Sequence, residues 1–356
     1  MASTVKASII VNNYNYGRYL KDAIDSALHQ TYNPLEVIVV DDGSTDHSAE
    51  VIRGFGDRIT AVMKPNGGQA SAFNAGFATS RGEVVFFLDA DDLLAPGAVE
   101  AVVEALQETP QAVRVQYRME VIDADGNPTG IIKPFGHLPL RSGDLRRHVL
   151  TFPFDIPWMP TSGNAFTSQV LRQILPMPEE EFRILADYYL SNVTPLFGPV
   201  LFLDEVLASY RVHGANSYEQ LQPEIDLEQI RKTITHAYQT REYLEKFSGK
   251  VGADLGGINR EEILSVSYVA NRLVSFKLDP ARHPMKDDTL RKLFSQGISA
   301  SLRRFDVSWL MRLGFVLWFA AMAVAPRPVA GWLGRSFLYP QRRGGLNKLL
   351  GSLHRS

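Results

Sequence analysis

Three acidic side chains follow directly on a short apolar run, VVFFL at residues 84–88: Asp89, Asp91 and Asp92. The apolar run predicts a buried strand, and such a strand delivers the acids to one edge of a sheet. Carboxylates this close repel one another and raise each other's pKa unless a cation lies among them. Carboxylate oxygens are also the ligands that Mg²⁺ and Mn²⁺ prefer. The pattern therefore favours a divalent-cation site over an acidic turn that only caps the helix expected near Pro96.

A second acidic pair ends another predicted strand. Residues 36–40 read as a strand, and Asp41, Asp42 and Gly43 follow it. In open sheets of parallel strands, ligands bind outside the carboxyl ends of the strands, so both acidic clusters are expected at one edge. The loop at 66–69, Asn-Gly-Gly-Gln, precedes a predicted helix. It is either a site where backbone N–H groups bind an anion or an ordinary turn.

The elements that position these acids are predicted from apolar periodicity. The first hundred residues predict strands at 7–11, 36–40, 59–63 and 84–88. They predict helices at 19–30, 68–80 and 96–108, and a further helix that is capped by Ser44 or Thr45 and ends at about residue 54. This alternation indicates an α/β fold with a parallel sheet covered by helices on both faces. The later pattern predicts a hairpin over 113–133, a loop at 158–164, a helix at 182–196, strands at 200–203 and 207–212, and helices at 224–247, 260–277 and 286–305.

Composition excludes several classes of protein and of site. The 356 residues are 45% apolar, which supplies the core of one large or two ordinary globular domains. The chain has no cysteine, so disulfides, thiolate metal sites and cysteine nucleophiles are excluded. A formal net charge of −2 argues against a nucleic-acid partner. The first residues, MASTVKASIIVNN, lack the charged and then long apolar segments of a secretory signal, so we expect a cytoplasmic location.

The last part of the chain differs in charge. Residues 307–356 carry seven Lys or Arg and no Asp or Glu. Within them, Leu313–Ala325 is free of charge but shorter than the roughly 20 apolar residues that a membrane-spanning helix needs. With its tryptophans and basic flanks, this segment is predicted to lie on the surface of an anionic membrane. The alternative is a buried C-terminal helix or a dimer contact.

Three stretches of the N-terminal half together resemble the family 2 glycosyltransferases. They are SIIVNNYNYGRYLKDAIDSALHQTY, LEVIVVDDGSTD and FNAGFATSRGEVVFFLDADD, within a match over about residues 5–215. The resemblance implies the GT-A nucleotide-diphospho-sugar transferase fold, a Rossmann-like α/β fold with a mostly parallel sheet and helices on both faces, plus a helical C-terminal region. It also implies a catalytic domain at 1–220, a helical extension at 221–305 and an apolar, basic tail at 306–356.

The resemblance assigns the acids to the binding of a nucleotide-sugar donor. Asp42 corresponds to the residue that recognises the nucleotide base, usually uracil, with Tyr14 and Asp41 beside it. For Asp41, capping of the following helix is an equal alternative. In the family pattern Asp89 lies near the ribose, and Asp91 binds the metal, Mn²⁺ or Mg²⁺, that bridges the diphosphate.

The resemblance also proposes the catalytic base. Glycosyl transfer with inversion needs a base that takes the proton from the acceptor hydroxyl. The family uses the Asp of an acidic pair at the start of a helix, which here is Asp187. The usual Glu before it is Ala186 in this chain, a departure that weakens the match. The acids at 179–181 are rival candidates, although three acids in a row more often form a solvated helix start.

The stretch GPVLFLDEVLASYRVHGANS resembles the closing strand and loop of the same catalytic domain. His213 would then ligate the metal or touch the diphosphate, and Arg211 would neutralise it. A structural role for His213 is the alternative. The QxxRW element of processive polymer synthases is absent, so we expect one sugar to be transferred per encounter.

These expectations add up to an inverting, metal-dependent glycosyltransferase. Its donor is expected to be a nucleotide-diphosphate sugar, most simply a UDP-sugar, and its acceptor a hydroxyl of a glycan or lipid-linked precursor in cell-surface polysaccharide biosynthesis. We expect it on the cytoplasmic face of a membrane, held there by residues 307–356. Two alternatives stay open: an inactive sugar-nucleotide-binding scaffold, suggested by Ala186, and a nucleotidyltransferase, disfavoured because residues 12–17 lack a basic, Gly-rich phosphate loop.

Overall fold

The computed structural model describes residues 5–134, 140–156, 158–214, 216, 225–252 and 264–338. The chain forms two compact units. The sheet unit comprises Met1–Arg146 and Pro157–Asn216, and the helical unit comprises Arg147–Ile156 and Ser217–Ser356. The functional division with boundaries at 220 and 305 stays a prediction.

The described residues form nine strands and twelve α-helices. In chain order they are β1 (Ala7–Asn13), α1 (Gly17–Leu28), β2 (Leu35–Asp41), α2 (Ser48–Phe55), β3 (Thr60–Met63), α3 (Gln69–Thr79), β4 (Val84–Asp89), β5 (Leu93–Leu94), α4 (Ala98–Glu108), β6 (Arg114–Ile122), β7 (Pro128–Lys133), α5 (Arg146–Thr151), β8 (Asn164–Thr167), α6 (Ser168–Ile174), α7 (Ala186–Val193), β9 (Val200–Arg211), α8 (Leu227–Lys250), α9 (Val266–Leu278), α10 (Leu290–Arg303), α11 (Trp309–Val324) and α12 (Arg327–Leu338).

All nine strands belong to one sheet, in the order β3-β2-β1-β4-β8-β6-β9-β5, with β7 paired to β6. The pairs β1·β2, β1·β4 and β2·β3 are parallel, as the alternating pattern predicts. Beyond β4 the sheet is mixed, because β8 runs antiparallel to both β4 and β6 while β6 and β9 are parallel. The sheet therefore has a parallel half, which carries both acidic clusters, and a mixed half.

The core of the sheet unit follows from continuous apolar strands and one-sided helices. Residues 7–11 of β1 and 84–88 of β4 are buried, as expected for strands covered on both faces. Helix α1 turns its buried face, which includes Leu20 and Ile24, toward this core. Helix α3 comes unusually close to the sheet, since a Cβ at Gly76 would lie 2.3 Å from Ile10 Cγ2. This close approach packs the C-terminal half of α3 against the middle of β1.

Several boundaries differ from the predictions. Strands β5 and β8 were not predicted, because two to four residues are too few to show a period and the β8 residues NAFT follow a polar, Gly-containing loop. The two strands expected at 200–203 and 207–212 form the single strand β9, whose pairing with β6 is irregular between them. Helix α2 starts at Ser48, so Ser44 and Thr45 do not cap it, and helix α7 starts at Ala186 rather than at residue 182.

The helical unit contains α8 to α12 and two buried carboxylates with strong partners. Asp155 accepts hydrogen bonds from Val266 N and Ser267 N, both at 2.8 Å, and so caps α9. Asp288 accepts from Arg272 Nε at 2.8 Å and lies 2.9 Å from His283 Nε2. Although burial alone would raise it, the pKa of Asp288 is lowered by these hydrogen bonds. Asp155 also forms an ion pair with Arg304 Nη1 at 2.8 Å, so both carboxylates stabilise the fold as members of ion pairs.

The apolar segment predicted at 313–325 lies within α11. Phe319 is buried, and a Cβ at Gly297 of α10 would lie only 2.3 Å from its ring, so these two helices pack closely. The opposite side of α11 is exposed and apolar: Leu310, Leu313, Leu317 and Val324 recur at helical spacing there. Within the described part of the chain, no helix combines the length and apolar character that crossing a membrane requires.

Candidate active site

The carboxyl ends of the parallel strands bring the two acidic clusters to one edge of the sheet, as predicted. In the strand register Asn12 lies opposite Asp89, and Asn13 lies opposite Asp41. The two asparagines at the end of β1 also bind their neighbours. Asn12 Nδ2 donates to Asp89 Oδ1 at 2.8 Å, and Asn13 Nδ2 donates to Asp41 Oδ1 at 2.7 Å.

Asp42 is buried and accepts four or more donors from the chain itself. Its Oδ1 accepts from Lys64 Nζ at 2.5 Å and from Gly67 N at 3.0 Å. Its Oδ2 accepts from Gly68 N at 2.6 Å and from Asn66 Nδ2 at 3.1 Å. The glycine N–H groups of this loop thus bind a carboxylate of the chain itself, which agrees with the alternative of a turn. Recognition of the nucleotide base by Asp42 stays a prediction.

Asp41 and Tyr14 occupy different environments. Asp41 is buried, and besides Asn13 it accepts from the backbone N–H of Ser44 at 3.1 Å. These contacts match the local structural alternative considered for Asp41, although they orient the turn after β2 rather than the helix α2. Tyr14 follows β1 and its side chain is 47% exposed, so it is accessible to a ligand at this edge.

Asp91 and His213, which are 122 residues apart in the chain, meet at the site. Asp91 Oδ2 lies 3.0 Å from His213 Nε2. The His213 ring stacks on Tyr19 at 4.8 Å and meets Tyr16 edge-on at 5.4 Å. Asn216 Nδ2 lies 3.4 Å from the same Asp91 oxygen. The two groups predicted to bind metal are therefore adjacent, and the imidazole orientation is fixed by aromatic packing.

Arg211 contacts the residues that follow β4. Its side chain is buried, and its Nε donates to the backbone O of Asp91 at 2.8 Å. Its backbone N–H donates to Asp92 Oδ1 at 2.9 Å, and its guanidinium lies over the ring of Tyr19. Arg211 thus braces the turn that carries Asp91 and Asp92. Neutralisation of the diphosphate by Arg211 stays a prediction.

The acids at this edge carry strongly perturbed pKa values. Burial, followed by the negative charge of Asp91, raises the pKa of Asp89 to about 7. Burial and the charges of Asp91 and Asp89 also raise the pKa of Asp92 well above its usual range. The pKa of Tyr16 is raised by burial and then by Asp91. A cation would stabilise like charges that are buried close together, which is consistent with the predicted metal.

The donor groups fit a divalent cation that shares its ligands with a substrate. Among the described residues, no three His, Asp or Glu side chains are grouped so that they alone could hold a metal ion. Asp91 and His213 offer one carboxylate and one imidazole. Mg²⁺ in proteins is commonly bound by one or two carboxylates together with substrate phosphates and water. Asp91 and His213 would supply the protein side of such a site.

Asp187 is the second residue of helix α7 and lies in the same part of the sheet unit. Burial raises the pKa of its carboxyl to about 6, while hydrogen bonds from Tyr188 N and its own N and the charge of Arg114 oppose the increase. The charge of Asp187 in turn raises the pKa of Asp89, so the two carboxylates are within electrostatic range. The structure therefore brings Asp187 to the acidic edge.

Two residues at the site were missed by the sequence analysis. Gln69 contacts both the loop before α7 and Asp89, since its backbone N–H donates to Arg183 O at 2.8 Å and its Nε2 lies 3.4 Å from Asp89 Oδ1. Arg114, on β6, is fully buried and donates to Ser191 O of α7 at 2.9 Å. A charged residue inside a predicted strand was the available signal for Arg114, and the residue after Gly-Gly was the signal for Gln69.

Comparison with known proteins decides the family. The family model for glycosyl transferase family 2 matches residues 8–163. An uncharacterized glycosyltransferase of Nostoc sp. is 38% identical over 252 residues, which cover 70% of this chain and 77% of the relative. The chain belongs to glycosyltransferase family 2. A second uncharacterized glycosyltransferase, from Rickettsia prowazekii, is 28% identical over 269 residues, 75% of this chain and 77% of the relative.

Solved structures agree with this family 2 assignment at the level of the fold. S. aureus TarS residues 1–349, solved in complex with UDP and with UDP-GlcNAc, superpose with a TM-score of 0.50 over 89% of this chain and 90% of that chain. The identities of 16% and 15% make this a likeness of fold alone. The predicted GT-A fold with a helical C-terminal region is confirmed, as is the prediction that the protein is a glycosyltransferase.

Proposed function

We propose that this family 2 glycosyltransferase transfers one sugar, with inversion, from a nucleotide-diphosphate sugar to an acceptor hydroxyl, with Asp187 as the base. The observation that carries the proposal is a buried carboxyl, with a pKa raised to about 6, within electrostatic range of Asp89 at the sheet edge. A base with such a pKa is ionised at neutral pH and still accepts a proton well. Asp91 and His213 complete the proposed site.

In the proposed reaction, Asp187 acts on the acceptor, and the other side chains of the site bind the donor. Asp187 takes the proton from the acceptor hydroxyl as its oxygen attacks the anomeric carbon from the face opposite the leaving group. Asp89 contacts the ribose, and Asp91 with His213 would hold a divalent cation, Mn²⁺ or Mg²⁺. When bound, such a cation stabilises the charge that develops on the departing diphosphate. Ala186 in place of the usual acid leaves this arrangement intact, because the proposed base is the next residue.

A UDP-sugar is the proposed donor class. Two lines support it: the Asp41-Asp42-Gly43 element, whose second acid corresponds to a base-recognising residue in the family, and the likeness of fold to TarS, which was solved with UDP and with UDP-GlcNAc. For Asp42 to contact a uracil, at least one of its present donors, such as Lys64, must yield. We propose that donor binding rearranges the loop at 64–68.

The test is UDP release from a panel of UDP-sugars, with Mn²⁺ or Mg²⁺ and with a chelator as the control. Release that requires both a UDP-sugar and the cation, and that increases with acceptor, supports the proposal. Binding of UDP-sugars without any release would favour an inactive scaffold. Consumption of a nucleoside triphosphate with a sugar phosphate would indicate a nucleotidyltransferase.

We further propose that the enzyme works on the cytoplasmic face of a membrane, on a lipid-linked or cell-surface glycan precursor in polysaccharide biosynthesis. The support is the exposed apolar face of α11 and α12, where Trp309 is 69% exposed, Leu317 61% and Trp332 65%. Arg312 and Arg335 flank this face, and residues 307–356 contain no acid that would repel anionic lipid. The occupant we propose is therefore an anionic bilayer surface.

Flotation with vesicles separates this proposal from its alternatives. The protein should float with vesicles that contain anionic phosphatidylglycerol and much less with purely zwitterionic ones, and Leu317→Ser with Trp309→Ser should abolish flotation. Alanine at Leu302, which is 59% exposed and precedes this face, serves as the control. Flotation that is unaffected by the two serines would refute the membrane surface, and dimerisation that they abolish would show that a second copy covers it.

A further inference from the structure

The helix that carries Asp187 has no capping side chain at the residue that precedes it. The residue before it, Leu185, has a φ of +66° and provides no side-chain cap hydrogen bond. The first backbone N–H groups of a helix need partners from outside the helix. Here the Ala186 N–H donates to Gln69 Oε1, at 3.0 Å. A side chain 117 residues away thus provides the acceptor for the first backbone N–H group of this helix.

The other end of the same amide faces the acidic edge. Gln69 Nε2 lies 3.4 Å from Asp89 Oδ1 and 3.5 Å from Thr161 Oγ1. With its oxygen toward the Ala186 N–H and its nitrogen toward the carboxylate, the amide has donor and acceptor correctly placed at both ends. Gln69 therefore links the end of β4 to the start of α7, the two elements that carry the proposed donor-binding acids and the proposed base.

The backbone of Gln69 is fixed as well. Its N–H donates to Arg183 O at 2.8 Å. Gly68, just before it, has a φ of +89° and donates to Asp42 Oδ2 at 2.6 Å. A Cβ at Gly68 would lie 2.4 Å from Arg183 Cγ, so only glycine allows the two segments to approach this closely. The amide of Gln69 is thus presented from a constrained turn rather than from a free loop.

We propose that Gln69 is a positioning residue that sets the separation between Asp187 and the donor-binding end of β4. This inference rests on the proposed function, because it gives Asp187 the role of base. Glycosyl transfer requires the acceptor hydroxyl, the base and the anomeric carbon to be aligned, and misplacement of a reacting group by about 1 Å can lower a rate by about a hundredfold. Gln69 acts on the rate only through the elements that it joins.

The experiment compares Gln69→Leu and Gln69→Glu with the wild-type enzyme. Leucine is close to glutamine in size and makes neither hydrogen bond, so we expect kcat to fall about 10- to 100-fold while the Kd for UDP changes less than about threefold. Glutamate keeps an acceptor for the Ala186 N–H but places a carboxylate beside Asp89. It should therefore restore protection of the start of α7 from hydrogen exchange without restoring kcat.

Asn74 on the same helix provides the matched control. Its Nδ2 donates to Met177 O and its Oδ1 accepts from Met177 N, both at 2.9 Å, so it also fixes the segment before α7 through two hydrogen bonds. Asn74→Leu should lower the thermal midpoint of unfolding at least as much as Gln69→Leu, yet leave kcat within about twofold, because these two hydrogen bonds go to Met177 and not to Ala186 or Asp89.

Two outcomes overturn the proposal. The first is a Gln69→Leu enzyme that retains more than half of the wild-type kcat, or one that loses no more than Asn74→Leu. The second is unchanged hydrogen exchange over residues 182–190 in Gln69→Leu. The exchange measurement does not depend on turnover, so it decides the role of Gln69 even if the wild-type protein releases no UDP, in which case the proposed function alone fails.

Discussion

Buried carboxylates are held in opposite ways in the two units of this protein. In the helical unit, Asp288 is paired with Arg272 and His283, and its pKa is lowered. At the sheet edge, no ion pair to Asp89 or Asp187 is found among the described residues, and their pKa values are raised to about 7 and about 6, that of Asp187 despite the charge of Arg114. An ion pair that neutralises a buried charge stabilises a fold, whereas buried acids with strongly perturbed pKa values are typical of functional sites. We interpret this difference in pKa as the distinction between an acid that stabilises the fold, Asp288, and acids proposed to act in the reaction, Asp89 and Asp187.

Removal of a structural acid should give the largest effect on stability. Asp288→Asn leaves the buried Arg272 guanidinium without its carboxylate, which typically costs about 3 to 5 kcal/mol of unfolding free energy. Chemical denaturation at pH 7.5 measures it, with Asp25→Asn, which breaks only the surface pair with Lys21, as the control. The rate per folded molecule should stay unchanged. An Asp288→Asn protein as stable as the wild type would contradict the structural role that distinguishes Asp288 from the acids at the sheet edge.

Removal of Asp187, the acid proposed to act as the base, should raise the free energy of unfolding rather than lower it. Because the pKa of Asp187 rises from 3.8 to about 6 on folding, its ionised form at neutral pH opposes folding. The stabilising contribution of this group is present below pH 4 and is lost as the pH rises through 6. Asp187→Asn should therefore raise the unfolding free energy of the metal-free protein at pH 7.5, by on the order of 2 kcal/mol. A lower stability than wild type at pH 7.5 would contradict this assignment.

The pH dependence of the rate sharpens the same contrast. Asp187 must be ionised to accept a proton, so kcat should decrease about tenfold per pH unit below about pH 6. Burial raises the pKa of Asp187, and the charge of Arg114 opposes this increase. Asp288→Asn should lower the stability to denaturant but leave the pH at which kcat begins to decrease unchanged. A kcat that stays constant down to pH 4.5 would show that another group is the base.

The parallel half of the fold was predictable because its strands are continuous apolar runs that end in acids. Residues 84–88 predicted β4, and the rule that ligands bind at carboxyl ends placed Asp89 at the same edge of the sheet as the end of β2. The mixed half was not predictable in the same way. Strand β8 inserts between β4 and β6, and nothing local in its four residues, NAFT, specifies that pairing.

The site was predictable where a single residue carries a chemical role and unpredictable where a role depends on a contact. Asp91 and His213 were named because the resemblance to the family assigns Asp91 to the metal and puts His213 in the loop after the closing strand, and the two side chains lie 3.0 Å apart. The contact between Arg211 Nε and the backbone O of Asp91 was not predicted, because it depends on how the fold buries the Arg211 side chain. Gln69 was missed because its importance comes from bridging Ala186 and Asp89, which only the fold brings together.

The most direct test of the account is the transfer rate of Asp187→Asn with its donor bound. Asparagine keeps the size of the side chain but cannot accept the proton, so donor binding should stay within about threefold while transfer falls by about a hundred- to ten-thousandfold. Glu180→Gln, on the exposed acidic run before α7, should retain the wild-type rate. An Asp187→Asn enzyme that keeps most of its rate would contradict the central claim that this buried carboxylate is the base.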